Sequence, residues 1–495
     1  MKSIAFDNDK YIQLQSSRIK ERIEEFGGKL YLEFGGKLFD DYHAARVLPG
    51  FEPDSKLSML LQLKDQVEIV VAVGSEAIEK NKVRGDLGIT YESEVLRLID
   101  GFRGIGLYVG SVVLTMYQNQ PAARAFISRL ESLNIRVYRH YPIEGYPHDI
   151  SHIVSDEGYG KNDYIQTDRE LVVITAPGPG SGKMAACLSQ LYHDYKRGIK
   201  SGYAKFETFP IWNIPLKHPV NMAYEAATAD LDDVNMIDPF HLEAYGKIAV
   251  NYNRDVEIFP VLSAIMEKIM GSSPYKSPTD MGVNMAGKCI IDDEAACEAS
   301  RQEIIRRYYK ALTDKRKGSI PDSMEIINKL ELLMKQAGVK AEDRRVVPAA
   351  RKLAEETGLP AAAIELPDGT IVTGKTTDLM GCCSAALLNA LKALGNIADI
   401  HLISRSIIEP IHRLKTESFG SKNPRLHSDE MLIALSMCAV TDPFAEQALN
   451  QLSKLRDCEM HCSVITASVD DQTLRKLGIR ATCEPQYEES RLYHV

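Results

Sequence analysis

No stretch of this chain approaches the roughly 18 consecutive apolar residues that a membrane-crossing helix requires. Its first residues, MKSIAFDNDKYIQ, lack the basic-then-apolar signature of a secretion signal. The expectation is a cytoplasmic protein with no membrane partner. Basic clusters are equally scarce. The balance of 59 basic to 68 acidic side chains gives a net charge of −9, which repels phosphate backbones unless cations gather locally. Only TDKRKG at 313–318 gathers any, and it reads as a solvated helix end, so nucleic acid is not expected as a partner. The nine cysteines are odd in number and scattered without metal-finger spacing, which suits reduced thiols. Cys458, His461 and Cys462 form the densest group, yet CEMHCSVITAS alternates as a strand does. His-Glu-x-x-His is missing as well. HDISH at 148–152 has a related spacing, which leaves a metal-dependent hydrolase as one alternative, but zinc chemistry needs both imidazoles on one helical turn and the flanks read as loop.

What the chain does contain is length and order. At 495 residues it exceeds a single hydrophobic core, and its 44% hydrophobic and 26% charged side chains are those of a globular protein. Residues 1–239 alternate short apolar runs with helical stretches, the pattern of an α/β domain with a largely parallel, Rossmann-like or phosphate-loop-like sheet. VEIVVAV at 67–73, SVVLTMY at 111–117, IRVYRHY at 135–141 and LVVIT at 171–175 are its expected strands. Residues 240–318 turn mainly helical, and 319–495 form a second α/β domain. There AAIELPDGTIVTGK reads as a hairpin about Pro-Asp-Gly, CCSAALLNALKALG as a helix, and IHLIS and MHCSVITA as strands.

Two stretches compete as phosphate cradles, which need tightly turned backbone N–H groups and the positive end of a helix. DGTIVTGKTTD, from Asp368, matches the usual spelling, but Thr370, Ile371, Val372 and Thr373 are β-branched and prefer an extended strand. APGPGSGKM, from Ala176, has the better context: LVVIT precedes it, and Met184, Cys187, Leu188 and Leu191 share one face of a following helix. Gly178, Gly180, Ser181 and Gly182 can turn tightly beside an anion, and Lys183 stands where a neutralising cation belongs. Pro177 replaces the usual first glycine, and Met184 replaces the hydroxyl that normally holds magnesium.

Elsewhere, YLEFGGKLFDDYHAARVLPGFEPDSK at 31–56 sets Gly35, Gly36, Lys37, Asp41, His43, Arg46 and Lys56 after a strand-like run, where open α/β sheets bind ligands. His218, Asn221 and Glu225 recur at helical spacing, and Asp230, Asp232 and Asp233 are the candidate magnesium ligands. Cys382 and Cys383, at a helix start, are either an activated thiol or small packing residues.

With LYLEFGGKLFDDYHAARVLPGFEPD, ITAPGPGSGKMAACLSQLYHD, HPVNMAYEAATADL and DGTIVTGKTTDLMGCCSAALLNALKALG in place, the chain resembles over its whole length a bacterial family of uncharacterised proteins. Some of that family's members carry the label ATP-dependent peptidase. The expected function is a small-molecule enzyme that binds a nucleotide such as ATP, or a phosphorylated metabolite, and catalyses phosphoryl transfer or ligation, with Mg2+ as a further cofactor. Lys183 and the loop amides would steady the transferred group, Arg46 would clamp a second anion and His43 would move a proton. A non-catalytic ligand-binding regulator is the alternative of another class. A homo-oligomer is expected by analogy with large cytosolic enzymes.

Overall fold

The computed structural model describes residues 4–39, 41–84, 87–319 and 323–488. They form two compact units, Ile4–Cys297 and Glu298–Val495, whose boundary falls within the helical stretch expected at 240–318.

In the first unit six strands make one sheet: β1 Leu30–Phe34, β2 Val67–Gly74, β3 Tyr108–Thr115, β4 Arg136–Arg139, β5 Leu171–Thr175 and β6 Gly202–Phe206. Their order is β4-β3-β2-β5-β1-β6, and every pairing is parallel. β1, β2 and β5 are buried along their whole length, as near-continuous apolar runs in a sheet covered on both faces must be. GYAKF was not expected as a strand, because Gly202 and Lys205 interrupt its apolar character. Tertiary packing supplies the reason for Gly202: a Cβ there would stand 2.0 Å from Cγ of Phe26.

Helices α1 Tyr42–Val47, α2 Tyr91–Gly104, α3 Lys183–Lys196, α4 Pro219–Ala227 and α5 Asn253–Met270 follow in the same unit. α2 packs against β2 and β3, whereas α3 lies across β1, β5 and β6 and against α5. Tyr31, Val70, Ala72, Val172, Ile174 and Tyr203 supply the sheet side of the core that α3 and α5 close with Ala186, Leu188, Leu191, Phe259, Leu262 and Ile265. α5 therefore belongs to the parallel sheet. Pro260 sits within α5, where periodic burial of Val256, Phe259 and Leu262 outweighs the lost backbone bond.

The long helix α6 Asp293–Lys317 runs from the first unit's last residues into the second. The second unit carries the mixed sheet β8-β7-β9-β10, built from β7 Ala361–Glu365, β8 Ile371–Lys375, β9 Glu459–Cys462 and β10 Arg480–Cys483. β7 and β8 are the expected antiparallel hairpin, so Thr370–Lys375 is no phosphate cradle. IHLIS is not a strand. Leu402 and Ile403 bury their side chains in the core without ladder pairing, and the segment leads into helix Arg405–Arg413; a five-residue apolar run does not separate these outcomes. α7 Cys382–Leu394 lies so close over β8 that a Cβ on Gly374 would meet the backbone nitrogen of Ala386 at 2.2 Å.

That approach gives a test. Gly374→Ala is expected to destabilise the second unit by about 1–3 kcal/mol, the usual range for overpacking. Gly104→Ala, with nothing within 4 Å of its Cβ, is expected to leave it unchanged. Calorimetric melting of both variants reads the difference, and equal melting temperatures would refute it.

Candidate functional site

Between β5 and α3 the chain makes its glycine-rich turn. The Ser181 hydroxyl donates to Gly178 O at 2.8 Å, and the Thr115 hydroxyl, from the end of β3, donates to Ser181 O at 2.9 Å. Gly180 (φ +73°) and Gly182 (φ +76°) occupy the left-handed region, which only glycine adopts without cost. Gly178 is needed for space, since a Cβ there would stand 2.1 Å from the Tyr91 hydroxyl. α3 then starts without a side-chain cap, and the amides of Lys183, Met184 and Ala185 donate to no carbonyl among the described residues. The ammonium of Lys183, half-buried, has no ion pair there either. A helix start so arranged presents free N–H donors and the positive end of its dipole.

Topology determines what this turn faces. From β2 the chain moves outward to β3, and from β5 it moves the other way, over β1, to β6. Right-handed crossovers would put α2 and α3 on opposite faces, and in open α/β sheets the carboxyl ends of two such strands are where ligands bind. The glycine-rich turn stands at that switch point.

One and two strands away lies a charged cluster that sequence reasoning missed. Glu33 of β1 pairs in register with Ile174 on one side and Lys205 of β6 on the other. Lys205 Nζ lies 2.6 Å from Asp255 Oδ1 on α5 and 3.4 Å from Glu207 Oε1, and it also bonds the Tyr252 hydroxyl. The Tyr203 hydroxyl donates to Glu33 Oε2 at 2.6 Å. Burial works against the Lys205 charge, but Asp255, Glu207 and Glu33 together hold its pKa above the ordinary value. Burial pushes the Glu207 carboxyl up to about 7, with the Asp255 and Glu33 charges adding to the effect and Lys205 opposing it. The Glu207 side chain keeps 25% of its surface exposed, so a bound molecule can reach a carboxyl poised for proton transfer near neutral pH. Glu33 and Lys183 both act on the thiol of Cys187, one turn into α3; burial raises its pKa, Glu33 raises it further and Lys183 lowers it. The Tyr146 hydroxyl is pushed up to about 12 by burial and then by Glu33.

Residues 4–338 match the domain of unknown function DUF1846, N-terminal, and residues 342–493 match its C-terminal counterpart. The chain is 59% identical to a UPF0371 protein of Streptococcus uberis over 494 residues, covering 100% of both chains. It is 58% identical to one of Streptococcus pyogenes and 59% identical to one of Streptococcus thermophilus, each again over 494 residues and 100% of both chains. This chain belongs to the DUF1846 family. Neither the family match nor these relatives' names ascribe peptidase activity to it.

In this DUF1846 chain the other sequence candidates take varied places. Gly35 follows β1 where the Glu207 side chain crosses it: a Cβ would stand 2.3 Å from Glu207 Cγ. Gly36 (φ +69°) lies under Lys56, whose ammonium pairs with Asp41 at 2.7 Å, so Lys56 anchors the turn. His43 packs edge-on against Phe209, ring centroids 5.3 Å apart, and lies 6.4 Å from the Tyr224 ring; Arg46 is half-buried in the last turn of α1. The structure does not bring Asp230, Asp232 and Asp233 together as cation ligands. Asp230 and Asp232 are exposed, while Asp233 is buried and held by the Arg254 fork at 2.6 and 2.8 Å, and the three form no ligand group among the described residues. His218 caps α4, its Nδ1 accepting from the Val220 amide at 3.2 Å, and Asn221 bonds both backbone groups of Ile211. His218, Asp293 and Cys297 do meet, but with Nδ1 accepting, Nε2 carries the proton and donates to Asp293 Oδ1 at 3.0 Å, so no lone pair faces a metal. Asp149 of HDISH caps the one-turn helix Ile150–Ile153, and neither of that motif's histidines joins a metal-ligand group among the described residues.

Glu33, Lys205 and Asp255 sit singly in unremarkable stretches. The available signal was Lys205 as an isolated charge two residues beyond a buried tyrosine in a short run.

Two outcomes follow from Glu207. Because its folded pKa exceeds the ordinary 4.5, the protonated group stabilises the fold below pH 4.5, and that contribution disappears as pH rises through about 7. Glu207→Gln is expected to retain on the order of 1–3 kcal/mol that the native chain loses over this window. Urea unfolding across pH tests this, and parallel profiles for the two proteins would contradict it. Gly35→Ala is expected to cost about 1–3 kcal/mol through collision with Glu207, and to cost far less when Glu207 is already Ala. An additive double-mutant cycle would show that the two do not collide.

Proposed function

We propose that this protein is a cytoplasmic enzyme that binds a phosphorylated small molecule at residues 176–183 and carries out acid–base-assisted transfer or ligation at Glu207. One juxtaposition supports the reading. The free amides of Lys183, Met184 and Ala185 stand over the end of β5, while Glu207 follows the end of β6, two strands away in the same parallel sheet. Two interstrand spacings amount to about 10 Å, the span of a sugar phosphate or nucleotide. A phosphoryl group on the α3 amides and Lys183 would direct the rest of such a molecule towards Glu207 and Lys205. In this sense the turn is phosphate-loop-like, and the sheet offers its ligand crevice where a Rossmann-like sheet does.

Lys183 would neutralise the bound anion, and the amides would fix its orientation. Glu207, half protonated near neutral pH, would give or take the proton at the reacting atom; this is the task the sequence suggested for His43. Lys205, kept cationic by Asp255 and Glu33, would stabilise developing negative charge. The donor set favours a phosphorylated metabolite over a magnesium nucleotide, since Met184 offers no hydroxyl and Asp233 is engaged by Arg254.

The test is calorimetric titration with inorganic phosphate and a panel of nucleotides and phosphorylated metabolites. Native protein is expected to bind at least one, Lys183→Ala to weaken it about tenfold or more, and Glu207→Gln to keep binding while losing turnover. Unchanged affinity in Lys183→Ala would remove the cradle. Unchanged turnover in Glu207→Gln would remove its catalytic role, and binding without any turnover would favour a regulator.

A further inference from the structure

The second unit contains a cluster of thiols that plays no part in the reading above. Cys382 and Cys383 are the first two residues of α7, Cys462 ends β9, and their three Sγ atoms lie within 4.8 Å of one another. Cys383 Sγ is 3.3 Å from Cys462 Sγ. All three side chains are buried. Thiols that only fill space behave differently in the same core: Cys458 turns back to Lys454 O at 3.6 Å.

The surroundings suit negative charge on sulfur. α7 starts at Gly381 without a side-chain cap, and the amides of Cys383 and Ser384 donate to no carbonyl among the described residues. Thirteen residues of helix direct their dipole at the two cysteines of its first turn. No histidine, aspartate or glutamate among the described residues joins the group at ligand distance. A donor set of three sulfurs with no fourth ligand does not complete the tetrahedron that structural zinc takes, and soft thiolates select Cu(I).

We infer that Cys382, Cys383 and Cys462 form a three-coordinate site for one Cu(I) ion. Each ligating thiol releases its proton to solvent as the metal binds. All three ligands belong to the second unit, and the inference does not rest on the function proposed for the first.

The experiment titrates reduced, full-length protein with Cu(I) under anaerobic conditions against a competing chelator. One copper per chain is expected, with a sulfur-only shell by X-ray absorption. Cys383→Ser and Cys462→Ser are each expected to weaken binding at least about tenfold, while Cys438→Ser leaves it unchanged. Reduced protein that takes up no copper, its three thiols merely packing, overturns the inference. So does a nitrogen- or oxygen-containing shell, or full retention by both serine variants. The absorption measurement on native protein decides the matter even where a variant fails to fold.

Discussion

Parallel pairing throughout the six-stranded sheet brings every strand's carboxyl end to one edge, and the first unit has to accommodate buried charge there. Lys205 is the centre of that arrangement. An ammonium removed from water costs several kcal/mol unless its partners are well placed, and here Asp255, Glu207 and Tyr252 bond it directly while Glu33 adds its charge from the neighbouring strand. Burial raises the Glu207 carboxyl to about 7, with the Asp255 and Glu33 charges adding to the effect, although Lys205 lies only 3.4 Å away.

Close approach of backbone is the second constraint. Gly35 lets Glu207 cross the end of β1, Gly178 lets the turn pass over Tyr91, and Gly374 lets α7 lie on β8. In each case the residue is glycine because a Cβ has no room, whereas Gly36, Gly180 and Gly182 take a left-handed φ. The second unit meets its own buried charge with the same logic. Arg344, almost fully buried, bonds Glu459 and the carbonyls of Met460 and Arg480, while Arg306 reaches the same carboxylate at 3.0 Å. Every donor in such a network has to find an acceptor, which ties α6, β9 and β10 to one geometry.

Much of the fold is legible in the residues. VEIVVAV and LVVIT, short apolar runs rich in β-branched residues, form the buried strands expected of them, and the Pro-Asp-Gly turn with flanking alternation yields the β7–β8 hairpin. GYAKF and IHLIS mislead for opposite reasons. The first carries a lysine whose partners arrive from α5, and the second has an apolar pattern satisfied by side-chain burial alone. Of the site, the turn at 176–183 is legible because a strand, glycines, a lysine and a helix are contiguous. The aspartates at 230–233 misled because local density of acid says nothing about whether an arginine already occupies it.

The sequence by itself determined the class of fold, the parallel sheet of the first unit and the glycine-rich turn, since each depends on neighbours within about 20 residues and on periodicities that backbone geometry imposes. Tertiary structure alone decided that Glu33, Lys205, Glu207 and Asp255 meet, and that Cys382 and Cys383 face Cys462. These groups lie between two and more than two hundred residues apart in the chain. Only strand order and helix packing, which no local pattern encodes, bring these groups together.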